Sequence, residues 1–147
     1  MEYENLPIIR VSFNMSGKKI DFSEINESIG IRANTERGVD DWPDVIKNNN
    51  SLPDSLKPRC IWSLLYEKEN CKDINILLSE LLNQLSGKRT IINDLALKFS
   101  LDKTIEVTIH AYNNEMPYIG LQRALISFLK DIDAEIEFDI YGYDVDQ

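Results

Sequence analysis

The chain has 147 residues, of which 43% are hydrophobic, and its 16 basic and 25 acidic side chains give a formal net charge of −9. This length predicts one domain whose core is large enough to fold without a metal or a disulfide. The acidity argues against a nucleic-acid partner or an anionic membrane, because both need clustered basic residues, and here the densest basic spots are pairs.

The first part of the chain predicts a strand, a capped helix and a long loop. Residues 8–15 alternate between apolar and polar side chains, which is the period of a half-buried strand. Asp21, with a glutamate three residues later, has the spacing of a helix N-terminal capping box, and Gly30 has the position that ends a helix. Residues 31–59 contain three prolines and few apolar side chains, so we expect a long loop region with a short strand near residues 32–39.

The rest of the chain predicts three more strands and three helices. Residues 60–66 form an apolar strand, and because Ile61 and Leu65 make its second face apolar too, we expect it in the centre of the sheet, covered on both sides. Asp73 begins a leucine-rich helix that ends at Gly87, and Thr90 begins the next helix. The remaining elements are a strand, a helix and a final strand, over residues 104–112, 121–132 and 135–141.

This order of elements indicates an α+β fold in a single domain over residues 1–147. Strands and helices mix without the strict alternation of a parallel-sheet fold. We therefore expect a mostly antiparallel sheet of about four to five strands with about four helices packed against it. An acidic tail follows over residues 142–147.

The side chains that commonly carry chemistry form no catalytic or metal-binding motif. Cys60 and Cys71 do not form a Cys-x-x-Cys pair, and with one histidine the chain lacks the ligands of a structural zinc site. That histidine, His110, shares a predicted strand face with Glu106, so it is either a general base oriented by the carboxylate or a surface histidine beside an acid. We favour the surface histidine and expect no catalytic residue, no cofactor and no metal, because no nucleophile accompanies it.

The N-terminus and the hydropathy pattern predict a cytoplasmic protein. The first five residues are polar and acidic, unlike the basic and apolar start of a signal peptide. No apolar run approaches the roughly 20 residues of a membrane span. In the reducing cytoplasm we expect both cysteines to be free thiols.

Most of the negative charge falls in the last third of the chain. Residues 101–147 hold three basic and ten acidic residues, and no basic residue follows Lys130. Glu135, Glu137 and Asp139 alternate along the final strand and so share one face with Tyr141. Such a row fits four roles: binding a basic partner, holding a hard cation, acting as an acid/base pair, or preventing an edge strand from pairing. A solvated strand without any function alternates in the same way.

Several short segments also resemble a known family in their order and spacing. They are Val11-Ser12-Phe13, Ser16-Gly17, Asp21-Phe22-Ser23-Glu24-Ile25, Ile29-Gly30-Ile31, Ile61-Trp62-Ser63 and Glu137-Phe138-Asp139-Ile140-Tyr141. The layout covers about residues 8–141 and resembles the bacterial family catalogued as domain of unknown function 4279. The resemblance implies a small bacterial cytosolic protein and supplies no catalytic residue.

Two function hypotheses follow from the sequence. The first is a non-catalytic protein-binding module, immunity- or inhibitor-like in its sharpest form, whose acidic face meets a basic protein partner. Its candidate partner-binding residues are Trp42, Glu135, Glu137, Asp139 and Tyr141, where Trp42 either covers the edge of the core or acts as an exposed anchor. The alternative is a small-ligand-binding or enzymatic domain with a pocket between the sheet and the 31–59 loop. The sequence gives no indication of the oligomeric state.

Overall fold

Five strands and five helices make up the computed structural model, which describes residues 7–144. The strands are β1 (Ile8–Gly17), β2 (Thr35–Arg37), β3 (Cys60–Lys68), β4 (Asp102–Tyr112) and β5 (Glu135–Tyr143). The helices are α1 (Phe22–Ile29), the single-turn α2 (Asp44–Lys47), α3 (Ile74–Leu85), α4 (Arg89–Phe99) and α5 (Arg123–Asp131). The predictions for residues 1–6, and for residues 145–147 of the acidic tail, lie outside the described residues. Across residues 7–144, no helix combines the length and hydropathy that a membrane span requires.

The strands form one sheet in the order β2-β3-β1-β4-β5. Strand β1 pairs antiparallel with β3 and β4, β2 pairs antiparallel with β3, and β5 pairs parallel with β4. The chain reaches β5 through α5, as a parallel neighbour requires a crossover. The predicted α+β class and the mostly antiparallel sheet are confirmed.

The prediction that β3 is the central strand, covered on both faces, is wrong. Strand β1 lies in the centre, and β3 is second from the edge. Ile61 and Leu65 on its second face are only half-buried, whereas Trp62 and Leu64 on the other face are buried. The four longer helices pack on that other face, so the second apolar face of β3 does not indicate two-sided burial.

The core lies between the sheet and the four longer helices. Ile9, Val11, Phe13 and Met15 of β1 are all fully buried and form the middle of the sheet's inner face. The ring of Phe13 meets that of Trp62 edge-on, with centroids 6.3 Å apart. Burial of such side chains stabilises the fold by about 1.5–3 kcal/mol each. Both cysteines are buried free thiols, as expected.

Local signals set both ends of α1 and the start of α3. The carboxylate of Asp21 accepts a hydrogen bond from the amide of Glu24 at 3.1 Å, and Gly30 ends α1 with a left-handed φ of 75°. Asp73 likewise caps α3 through the amide of Asn75 at 2.8 Å. The boundary between α3 and α4 differs from the prediction. After α3 the chain continues through a short 3₁₀ turn, and α4 begins at Arg89 rather than at Thr90.

The 31–59 region is tied to the body of the fold by specific hydrogen bonds. It contains β2, which confirms the predicted short strand, as well as α2. The indole nitrogen of Trp42 donates to the carbonyl of Arg59 at 2.8 Å, and the guanidinium of Arg37 lies 4.1 Å from the centre of the Trp42 ring. At the start of the region, Asn26 of α1 accepts hydrogen bonds from the indole of Trp62 at 2.8 Å and from the amide of Ala33 at 3.1 Å. These contacts hold the loop on the sheet.

Candidate functional site

Outward side chains of β4 and β5 cover part of the sheet face that lies opposite the helices. The two strands are parallel and in register, so each outward residue of one strand lies beside an outward residue of the other. Along the strands, these pairs are Thr104–Glu135, Glu106–Glu137, Thr108–Asp139, His110–Tyr141 and Tyr112–Tyr143. The face therefore changes from acidic at one end to aromatic at the other.

The acidic half of this face, here called the acidic row, consists of Glu106, Glu135, Glu137 and Asp139. On the neighbouring strand β1, Glu106 lies beside the neutral Ser12. Arg10 is also on β1, but its guanidinium points to β3, where it bonds the carboxylate of Glu67 at 3.1 Å. Within residues 7–144, no lysine or arginine forms an ion pair with a member of the row. The row thus carries negative charge without a direct counter-ion from the described chain.

Glu106 lies in the field of the other carboxylates of this row. Its side chain is half-buried, and this burial raises its pKa above the ordinary value. The negative charges of Glu137 and Asp139 raise the pKa of Glu106 further. Both effects disfavour the ionised carboxylate. A cationic group placed against the row would offset the repulsion and favour ionisation.

The aromatic half of the face, here called the aromatic stack, consists of His110, Tyr112, Tyr141 and Tyr143. The ring of His110 stacks on that of Tyr141 with centroids 5.1 Å apart and on that of Tyr143 with centroids 5.8 Å apart. The rings of Tyr112 and Tyr143 stack at 5.1 Å. The Nδ1 atom of His110 and the Tyr143 hydroxyl form a hydrogen bond of 3.0 Å. Stacking holds these rings in place although the tyrosines of β5 are exposed.

Four of the five predicted partner-binding residues lie together on this face. They are Glu135, Glu137, Asp139 and Tyr141. Trp42 does not join them, because it is half-buried beside Arg37 and Arg59, on the side of the sheet where β2 and β3 lie. Its position fits the interpretation as a cover of the core edge, and a role in partner binding stays a prediction.

The site also contains residues that the sequence did not point to. The alternation along residues 104–112 placed Glu106 and His110 on one polar face but did not show that β5 pairs alongside. The hypothesis that Glu106 orients His110 differs from the structure, in which His110 bonds Tyr143. Tyr112 and Tyr143 become part of the site only through the register of β4 with β5.

A groove borders the acidic end of the face. Its volume is about 520 Å³, and its lining includes Arg59, Asp102, Lys103, Glu135 and Glu137. An ion pair of 2.7 Å between Arg59 and Asp102 lies within it. His110 and Glu106 do not line this groove. Over the part of the chain that is described, no three carboxylate, histidine or cysteine side chains converge as metal ligands would.

Chemically, the face suits a cationic partner. A carboxylate without a counter-ion can accept paired hydrogen bonds from a guanidinium, and a guanidinium also stacks on aromatic rings. Tyrosine and histidine beside the carboxylates offer such rings within one surface.

No curated protein and no solved structure matches this chain. The family model described as Domain of unknown function (DUF4279) matches residues 7–143, which is nearly the whole chain. The chain therefore belongs to the DUF4279 family.

Proposed function

We propose that the protein is a non-catalytic binding module that receives a basic protein segment on the outward face of β4 and β5. The observation that carries the proposal is the acidic row, in which the described chain pairs no carboxylate with a basic side chain. An arginine or lysine of a partner supplies the missing counter-ion. An immunity- or inhibitor-like protein, which covers a basic protein, is the sharpest form of this function.

The aromatic stack adds contact area and orientation to the charge. Tyr141 and Tyr143 are 48% and 40% exposed, and tyrosine is enriched in protein interfaces. Their stacking on His110 and Tyr112 restricts the rings before a partner arrives, so binding orders few side chains. Charge then speeds the encounter, while the aromatic rings slow dissociation.

Direct titration with a basic peptide tests this function. The probe is a nine-residue peptide that alternates arginine and valine, carries a fluorescent label and is followed by anisotropy at low salt. The variant Glu135→Gln/Glu137→Gln/Asp139→Asn removes three charges from the acidic row. The matched control Glu27→Gln/Glu69→Gln/Asp94→Asn removes three charges from exposed positions elsewhere. We expect the first variant to bind at least about tenfold more weakly than wild type, and the control to bind within about threefold of it.

The control variant decides between a site and a general polyanion effect. Both variants change the net charge by the same amount, so unspecific attraction would weaken equally in both. Equal affinities of the two variants would overturn the proposed function. A peptide in which glutamate replaces arginine should show no binding.

Small-ligand binding in the groove beside Arg59 is a second candidate function. The supporting observation is the 520 Å³ volume lined by both basic and acidic side chains, which suits a small zwitterionic ligand. The variant Arg59→Gln separates the two candidates. It should leave peptide affinity within about twofold of wild type if the face of β4 and β5 is the site, whereas binding of a small zwitterion such as free arginine that this variant abolishes would favour the groove.

A further inference from the structure

Within the described residues, strand β5 has a long edge without a partner strand. It is nine residues long and is the last strand of the sheet, so only its β4 side is paired within residues 7–144. The other sheet edge, β2, has only three residues. An exposed edge strand offers unpaired backbone amides and carbonyls to any strand that matches it.

The inward face of β5 is apolar and incompletely covered. Phe138 and Ile140 point to the helix side of the sheet, yet they are 37% and 51% exposed. On β4, their register partners Val107 and Ile109 are fully buried. Within residues 7–144, the helix layer therefore covers Phe138 and Ile140 only in part, and the apolar side of β5 keeps exposed surface.

The charge of β5 argues against a second copy of this chain as that neighbour. Two β5 strands paired edge to edge would bring two sets of Glu135, Glu137 and Asp139 onto one continuous face. Like charges on neighbouring strands destabilise pairing, and no basic side chain of the described residues pairs with these carboxylates to offset the repulsion. A strand with basic side chains on its outward face meets the opposite condition.

We propose that the basic partner contributes an extended segment that adds to β5 as a sixth strand. This inference rests on the proposed function and specifies how the partner binds. In the added strand, alternate residues are basic and lie beside Glu135, Glu137 and Asp139. The residues between them are apolar and cover Phe138 and Ile140. Backbone hydrogen bonds supply affinity, and the two side-chain rows supply specificity.

N-methylation of the peptide backbone tests strand addition directly. In an extended strand, residues whose side chains share a face also point their amides to the same side. The arginine amides of the alternating arginine–valine peptide therefore all point to one side, and the valine amides to the other. Methylating one set should abolish pairing with β5 and weaken binding at least about tenfold, while methylating the other set should change it by less than about threefold.

A second peptide separates the two proposals. It has the same composition, but its arginines form one block and its valines another. If the partner binds by charge without strand addition, the blocked peptide and both methylated peptides bind equally, and the variant of the acidic row still loses affinity. That outcome overturns strand addition and leaves the proposed function intact. If the variant of the acidic row and its matched control bind all peptides alike, the proposed function itself fails.

Two measurements on the protein complete the test. Hydrogen exchange should slow at β5 amides when the alternating peptide binds, and unchanged exchange there would contradict strand addition. Ile140→Ser should weaken binding at least about threefold, whereas Leu97→Ser, at a position 82% exposed on α4, should not. A dimer of the free protein that Ile140→Ser abolishes would overturn the proposal in favour of a second copy.

Discussion

The effect of a single residue on the stability of this protein depends on the groups around it. Glu106 is the clearest case, because it faces Glu137 and Asp139 on β5, Ser12 on β1, and only Thr104 and Thr108 beside it on its own strand. The pKa of its carboxyl is raised from an ordinary value of 4.5 by burial and by the two acids. Ionised Glu106 therefore destabilises the folded state.

Glu106→Gln should stabilise the protein at neutral pH and not in acid. The folded state holds the Glu106 proton more tightly than the unfolded chain does, so stability falls as pH rises from the ordinary pKa to the raised one. The variant removes this loss, and we expect a gain of about 0.2–1 kcal/mol at pH 7, the range for opposed like charges. Urea unfolding at pH 7 and at about pH 4 measures it. Glu27→Gln on α1 is the control, and an equal gain at both pH values would contradict the explanation.

Gly30 is a second residue whose role is set by the backbone. Its φ of 75° is left-handed, while a Cβ there would approach only the Lys88 ammonium, at 3.9 Å. Gly30→Ala should therefore cost about 1–2 kcal/mol through conformation alone. Gly87→Ala is the control, because its Cβ meets no atom within 4 Å and its φ is not left-handed. Thermal unfolding of both variants checks this, and an equal effect of the two would contradict it.

At the scale of elements, one polar side chain joins three of them. Asn26 on α1 accepts hydrogen bonds from the fully buried Trp62 indole on β3 and from the amide of Ala33. Its own amide donates to Glu36 on β2 at 2.6 Å. The edge strand β2 and the start of the 31–59 region are therefore held in place by a residue of the first helix.

Asn26→Ala should be among the most destabilising substitutions outside the apolar core. It leaves the indole of Trp62 and the amide of Ala33 without an acceptor, at about 1–3 kcal/mol for each. Asn26→Asp keeps the acceptor but places a second carboxylate against Glu36, so it should lose less, and Asn26→Asp/Glu36→Gln should recover most of that loss. Urea unfolding measures the series. If the double variant is no more stable than Asn26→Asp, repulsion by Glu36 is not the cause.

These cases show which parts of the fold the sequence predicts. The cap at Asp21, the stop at Gly30 and the alternation of β1 depend on neighbours in the chain, and the structure confirms them. Whether β3 is covered on both faces depends on where the helices pack. Its two apolar faces predicted a central strand covered on both sides, but the helices pack on one face only. The sequence predicted only part of the site, because it does not show which strands lie side by side. Glu137 and Asp139 belong to one strand, but their effect on Glu106 requires the pairing of β5 with β4.

For the whole molecule, the distribution of charge matters more than its sum. The net charge is −9, and no ion pair among the described residues, such as Arg59–Asp102 or Arg89–Asp131, includes a carboxylate of the acidic row. Glu106, Glu135, Glu137 and Asp139 thus form a group of neighbouring carboxylates without direct counter-ions on the two strands at one side of the sheet. Repulsion within this group is short-range and should respond to salt, since the screening length falls to about 10 Å at 0.1 M.

Added salt should therefore stabilise the wild-type protein, and neutralising the acidic row should remove most of that effect. We expect Glu135→Gln/Glu137→Gln/Asp139→Asn to be more stable than wild type at low salt by about 0.5–1 kcal/mol, because opposed like charges each cost a few tenths. The matched variant Glu27→Gln/Glu69→Gln/Asp94→Asn has the same net charge but should keep the salt response of wild type. Thermal unfolding of all three proteins from low to high salt measures the difference. A low protein concentration limits pairing of the uncharged β5 edge between molecules. If the two variants lose the salt response equally, the net charge governs stability. If only the first loses it, the edge of the sheet holds a concentrated field that a basic strand would neutralise.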